Sequence, residues 1–144
     1  MKVQEIMTAN PRTVTPETTI REAAQLMKSE DVGVLPVVES TSSLRLIGVV
    51  TDRDITVRVV AEGRSSASVR DAMTSGVTTC KADDNVKDVM SIMSRKQVRR
   101  IPIVDDSGNL VGIVAQADLV LEADDKRAEE TIEQISQPGG SHSQ

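Results

Sequence analysis

The chain contains no Phe, Tyr or Trp among its 144 residues. Its core must be assembled from Val, Ile, Leu, Met and Ala, and no base can stack on an aromatic ring, which argues against single-stranded nucleic acid as a partner. Cys80 is the sole cysteine and His142 the sole histidine. One cysteine excludes an internal disulfide and a multi-cysteine zinc site. His142 lies in a polar tail, so no Ser-His-Asp set, Cys-His pair or metal cluster can be assembled, and a phosphate-binding glycine loop is missing as well. An enzyme is therefore not expected. Apolar runs never reach membrane-spanning length, and Met1 to Met7 lack the apolar stretch of a signal peptide; a cytoplasmic protein with no membrane partner is expected. Positive charge is in deficit, 17 Lys and Arg against 22 Asp and Glu for a net −5. Such a chain has no general basic footprint for DNA.

What is present is a globular balance. Hydrophobic residues are 38% and charged residues 27% of the chain, too apolar for a fully disordered polymer. Much of the negative charge sits in one stretch, where Glu122, Asp124, Asp125, Glu129, Glu130 and Glu133 outnumber Lys126 and Arg127.

The sequence also repeats itself. Residues 3–38 align on 69–104 at an offset of 66: Val3 on Val69, Met7-Thr8 on Met73-Thr74, Thr13 on Thr79, Met27 on Met93, Val32 on Val98, Pro36 on Pro102, Val38 on Val104. A loop shorter by two residues changes the offset to 64, placing Leu46, Gly48, Val50 and Asp54 on Leu110, Gly112, Val114 and Asp118. This is a duplication of a unit of about 60 residues, a size that buries little apolar surface alone and is marginal without its twin. Two such units packed sheet to sheet share a core, and their pseudo-twofold relation creates two equivalent clefts, the default place for a small ligand.

Each unit reads alike. A short extended piece (Arg12-Thr13-Val14; Thr78-Thr79-Cys80) precedes an amphipathic helix. Ile20, Ala23, Ala24 and Met27, then Val86, Val89, Met90 and Met93, recur at helical spacing. Thr18 and Asp84 stand where N-caps are expected. A strand around Leu35–Val38 or Ile101–Val104 follows, and its proline suggests an edge or a strand start. A polar hairpin loop leads to Leu46–Val50 or Leu110–Val114, whose nearly unbroken apolar run suggests burial on both faces. A second helix begins at Thr51 or Ala115. The last helix is expected to run to about Ser136, with Leu121, Ala128, Ile132 and Ile135 as a thin apolar stripe, before a Pro-Gly-Gly stop and a flexible tail.

The ordered blocks Ile6-Met7-Thr8, Val32–Val38 and Leu46–Ile55, then Ala72-Met73-Thr74, Val98–Asp106 and Leu110–Leu119, resemble a tandem pair of CBS (cystathionine β-synthase) domains. The chain is similar to stand-alone bacterial proteins of that family. The resemblance implies an α/β fold of two β-α-β-β-α units: residues 1–63, then 64–121, with 122–144 an acidic helical extension and tail. It further implies adenosine-type ligands in the clefts, bound as regulatory signals, with AMP or ATP foremost. In the family's G-x-x-T-x-x-D pattern the terminal Asp holds the ribose. Here that is Asp54, after Gly48 and Thr51, and Asp118, after Gly112 and Ala115. A carboxylate can accept charge-assisted hydrogen bonds from both ribose hydroxyls. The plain alternative is that Thr51 and Asp54 form a capping box on a helix N-terminus. Asp118 weakens that alternative, since Ala115 cannot cap and the Asp is still present.

Phosphate contacts implied by the resemblance fall on Arg99 and Arg100, before Pro102, on Arg53, before Asp54, and on the Thr51 hydroxyl. Gly33 and Val34 replace the arginines in the first unit. Arg53, Arg99 and Arg100 are accordingly expected to converge on the Asp118 cleft, leaving the Asp54 cleft nearly uncharged. Thr13, Val14, Val34, Pro36, Thr79, Cys80 and Pro102 are expected to line the clefts. Cys80, which aligns on Val14, also reads as a small buried hydrophobe. The expected whole is a non-catalytic adenine-nucleotide sensor without a required cofactor or metal. It would be a homodimer whose partner helices cover Met27, Met90 and Met93, and it would signal to a protein target the sequence does not name. A ligand-free dimerisation module, or a sensor of S-adenosylmethionine or NAD, is the alternative.

Overall fold

The computed structural model describes residues 1–64 and 66–122. The expected course of the last helix to Ser136, its stripe at Ala128, Ile132 and Ile135, the tail and His142 lie outside those residues.

Two sheets, two full helices and one short one follow the duplication. In the first half, α1 (Ile20–Glu30) is followed by β2 (Val34–Ser40), β3 (Ser43–Thr51) and the short α2 (Asp52–Ile55), which continues as a π-turn over Thr56–Val60. In the second, β5 (Cys80–Lys81) leads to α3 (Val86–Lys96), β6 (Arg100–Val104) and β7 (Leu110–Ala115), and residues 116–122 are helical. Two short strands, β1 (Thr8–Ala9) and β4 (Thr74–Ser75), complete the set. The sheets run β1-β7-β6-β5 and β2-β3-β4.

That strand order shows an exchange the sequence pattern did not reveal. β1 comes from the first unit but pairs with β7 of the second, Thr8 opposite Ile113; β4 comes from the second and pairs with β3 of the first, Thr74 opposite Val49. The segments just before them dock in the same crossed sense. The Val3 N–H donates to the Asp84 carbonyl and Gln4 to Ala82, while Val69 donates to Thr18 and Arg70 to Pro16. Val3 is fully buried among Cys80, Val89, Met93 and Ile101, and Val69 among Ala23, Leu35, Val50 and Val59. Each half's interior is thus completed by the other half's arm.

The arms account for the repeated glycine. A Cβ on Gly48 would collide with the Thr74 carbonyl oxygen and lie 2.7 Å from Met73 Cε; one on Gly112 would lie 3.0 Å from the Thr8 carbonyl oxygen and crowd Met7 Sδ. The Met-Thr pair and the Gly in each unit are therefore two sides of one contact, made across the halves.

Local expectations shift by small, explicable amounts. The N-caps are Thr19 and Asn85, one residue beyond Thr18 and Asp84. Thr19 Oγ1 accepts the Glu22 N–H at 3.1 Å and Asn85 Oδ1 accepts that of Lys87 at 2.9 Å. Thr18 and Asp84 instead close the preceding turn, accepting the N–H groups of Thr15 and Lys81. In α1 the buried positions are Ala23 and Met27, and Ala24 is exposed. Pro102 sits in an inner strand between β7 and β5, whereas Pro36 sits in β2, the end strand of its sheet, beside a single parallel bridge from Val14. They are tolerated because the parallel neighbour pairs only past the proline, Val14 at Val37 and Cys80 at Ile103.

Candidate functional site

The inner strands β3 and β7 are not buried on both faces, and the reason lies in two clefts. Gly48 and Val50, Gly112 and Val114 face the interior, whereas Val49, Thr51, Ile113 and Ala115 are half-buried and line the clefts. Apolar residues on that outer face leave an apolar floor open to a ligand.

The larger cleft has a volume of about 590 Å³, and the smaller about 450 Å³. Both fall in the range of small-molecule sites. The larger is walled by Pro11 and Arg12 just after β1, by Val34 and Pro36 of β2, and by Ile113, Ala117 and Asp118. The smaller is its pseudo-twofold mate, with Val77, Thr78, Val98, Arg99 and Pro102 beside Val49 and Thr51. Val34, Arg100 and Ile113 border both. Because β1 and β4 are exchanged, each cleft has walls from both halves.

Asp118 and Arg100 both line the larger cleft. Asp118 is exposed in the first helical turn after β7, and Arg100 sits opposite Ala115 in the β6–β7 register. Arg99 is not there. It follows Val98 into the smaller cleft, on the side of Thr51, so that cleft is cationic rather than nearly uncharged. Adjacent side chains at the start of an extended strand diverge, so Arg99 lines the smaller cleft alone while Arg100, on the ridge between the two, borders both. Arg53 lines neither cleft; it is exposed, and its own N–H is taken by Asp52 Oδ1.

Thr51 and Asp54 form the capping box. The Thr51 N–H donates to Asp54 Oδ2 at 3.1 Å, and the Asp54 N–H donates to Thr51 Oγ1 at 3.0 Å. Asp54 Oδ1 lies 4.0 Å from Arg58 Nε, and the carboxylate borders neither cleft. Thr51 does border the smaller cleft, and its hydroxyl keeps a proton to donate.

Of the expected lining residues, Val34, Pro36 and Pro102 are in place. Thr13 and Thr79 border neither cleft, and Val14 and Cys80 are core residues packed against their own helices. Val14 and Cys80 turn inward, while Arg12 and Thr78, two residues before them and outside any strand, line the clefts. Burial, with the nearby Asp84 carboxylate as the lesser cause, pushes the Cys80 thiol above its ordinary value. It is a packing group rather than a nucleophile.

Sequence reasoning passed over Arg12 and Glu30. Arg12 Nη1 lies 3.6 Å from Glu30 Oε1 at the mouth of the larger cleft. The signal was available in the repeat, where Arg12 aligns on Thr78 and Glu30 on Lys96. Among the described residues no group of His, Cys, Asp and Glu could hold a metal ion, and no helix is long and apolar enough to cross a membrane.

Known proteins share this architecture. The family model of the CBS domain matches residues 3–61 and again 69–125. The CBS domain-containing protein YhcV of Bacillus subtilis is 42% identical over 120 residues, 83% of either chain. Among solved structures, CBSX2 in complex with AMP superposes with a TM-score of 0.77 at 28% identity, covering 88% of this chain and 98% of its own. The CBS domain pair of protein MJ0100, in complex with 5′-methylthioadenosine and S-adenosyl-L-methionine, gives 0.73 at 27%, covering 88% and 98%. Duplicated sequence, exchanged arms, paired clefts and two family matches agree that this chain belongs to the CBS domain family, as a tandem regulatory pair.

Proposed function

We propose that the chain is a non-catalytic sensor that binds adenosine-type ligands, AMP, ADP or ATP, in its two clefts and passes the ligand state to a protein target. One observation carries this reading: the larger cleft gathers Asp118, Arg100 and Arg12 around an apolar floor of Val34, Pro36 and Ile113. An adenine ring fits against that floor by apolar packing, which matters in a chain with no aromatic ring to stack on. The Asp118 carboxylate is suited to two vicinal ribose hydroxyls, and the Arg100 fork to phosphate oxygens. In the smaller cleft Arg99, Arg100 and the Thr51 hydroxyl are the phosphate groups. Asp54 is the ribose acid there only if a ligand draws it out of its capping box. The AMP, 5′-methylthioadenosine and S-adenosyl-L-methionine bound by structural neighbours support the ligand class.

Calorimetry with AMP and adenosine tests the reading. Asp118→Ala removes an acceptor from the ribose hydroxyls. At about 1.5–3 kcal/mol for hydrogen bonds to a charged group, AMP affinity at that cleft should fall roughly 10- to 100-fold. Arg100→Ala should weaken AMP and spare adenosine, which has no phosphate. If neither AMP, ADP, ATP nor adenosine binds, the proposal is overturned in favour of a ligand-free dimerisation module or a sensor of S-adenosylmethionine or NAD.

A further inference from the structure

The two clefts differ in the charge of their walls. Arg12 and Arg100 line the larger one together with Glu30 and Asp118, so its formal charges cancel. The smaller one is lined by Arg99 and Arg100 with no carboxylate. The difference traces to one pair. Glu30 is the last residue of α1, and its carboxylate engages Arg12 across the mouth of the cleft. At the repeat-equivalent positions the second unit has Lys96 and Thr78, so no such pair forms beside the smaller cleft.

We propose that Glu30 is a specificity-determining residue: by occupying Arg12 and adding its own negative charge, it restricts the larger cleft to adenosine-type ligands with at most one phosphate, and leaves di- and triphosphates to the Arg99–Arg100–Thr51 cleft. This rests on the nucleotide reading above and assigns a charge class to each cleft within it. The single phosphate of a nucleoside monophosphate can be held by the Arg100 fork without recruiting Arg12. A longer polyphosphate in this cleft adds negative charge beside Glu30, whose carboxylate also holds Arg12. Glu30 and Arg12 are both well exposed, with side-chain exposures of 41% and 67%, so the discrimination is electrostatic and weakens as salt rises. The same carboxylate would tolerate a ligand with a cationic group in place of phosphate.

Backbone amide NMR reads the two clefts separately in one sample, with the Ala117 and Asp118 amides reporting the larger and the Thr78 and Arg99 amides the smaller. Adenosine, AMP and ATP are titrated into the wild type, Glu30→Gln and Arg12→Ala at low and high salt. In the wild type ATP should act first on the smaller cleft. Glu30→Gln should strengthen ATP at the larger cleft by about three- to tenfold at low salt, with less gain at high salt. It should leave adenosine there, and ATP at the smaller cleft, unchanged. Arg12→Ala should move ATP at the larger cleft the opposite way. If Glu30→Gln leaves ATP at the larger cleft unchanged while AMP still binds there, the role of Glu30 is overturned and the nucleotide reading stands. If adenosine tightens as much as ATP, Glu30 shapes the cleft rather than its charge, and the proposal fails. Absence of any shift with all three ligands overturns the nucleotide reading and this proposal with it.

Discussion

Single residues here are decided by what crosses them. Gly48 and Gly112 need no special backbone angles; they lack a side chain because an arm from the other half lies on them. The two are not equally strict. At Gly48 the nearest obstacle is backbone, at Gly112 a flexible methionine side chain. Gly48→Ala should therefore cost about 1–3 kcal/mol in urea unfolding, and Gly112→Ala distinctly less, because Met7 can rotate away. Equal losses would mean that the arms shift freely. Cys80 makes a second residue-scale case. A thiol held above its ordinary value by burial stays protonated at neutral pH, so it should react with a thiol reagent only slowly until the protein is unfolded. Its sign follows: the folded state is favoured by the neutral thiol below the ordinary cysteine value, and that contribution is lost as pH rises through the raised one.

At the scale of elements, helix ends and hairpin loops carry separable terms. Thr19→Ala removes the acceptor of the Glu22 N–H and should cost about 1 kcal/mol, whereas Thr18→Ala opens the turn before α1 and leaves the cap intact. The β6–β7 loop is organised by Asp105, whose Oδ1 accepts the N–H groups of Asn109 and Ser107, each at 2.9 Å. The bond from Asn109 is the main cause holding this carboxyl below its usual range; burial opposes it, and the bond from Ser107 adds to the lowering. The charged form is thereby favoured in the fold. The loop's contribution is present above the ordinary aspartate value and is lost as pH falls through the lowered one. Amide exchange at Ser107 and Asn109 should accordingly stay slow until strongly acidic pH. Protection lost already at the ordinary aspartate value would show that the two bonds do not form in solution.

At the scale of the molecule, the exchanged arms make the halves interdependent. Val3 lies far in sequence from the core it fills, and Val69 fills the other. Val3→Ala and Val69→Ala should each cost on the order of 2 kcal/mol from lost burial and a residual cavity. Unfolding should remain one transition, because neither core is whole without the other unit. Two separated transitions would refute the interlock. Met27 and Met93 are buried within these cores, and Met90 packs beside the second, so they do not require a partner chain as the sequence had suggested. Exposed apolar side chains on the helical segments after β3 and β7 include Val57, Val60, Val120 and Leu121, at 50%, 66%, 41% and 61%. A homodimer that covers them remains the expected assembly. Sedimentation at micromolar concentration should give twice 15.5 kDa, and Val60→Asp should shift it toward monomer; a wild-type monomer would overturn this expectation.

The sequence alone carried the duplication, the order of elements and the Gly-x-x-Thr-x-x-Asp pattern, because apolar periodicity and repeated spacing are written along the chain. The resemblance to the CBS family assigned Asp118 and Arg100 to a cleft. The sequence did not disclose which unit each arm joins, since Val3 and Val69 would satisfy the same pattern in either core. Nor did it separate Arg99 from Arg100: spacing places them together, whereas in the fold Arg99 lines only the smaller cleft and Arg100 borders both. The ion pair of Arg12 with Glu30 joins residues from opposite ends of α1's approach and exit, and it exists because β1 crosses to β7 and carries Arg12 to the cleft mouth. Periodicity reports which residues are buried; the path of the chain in space decides against what.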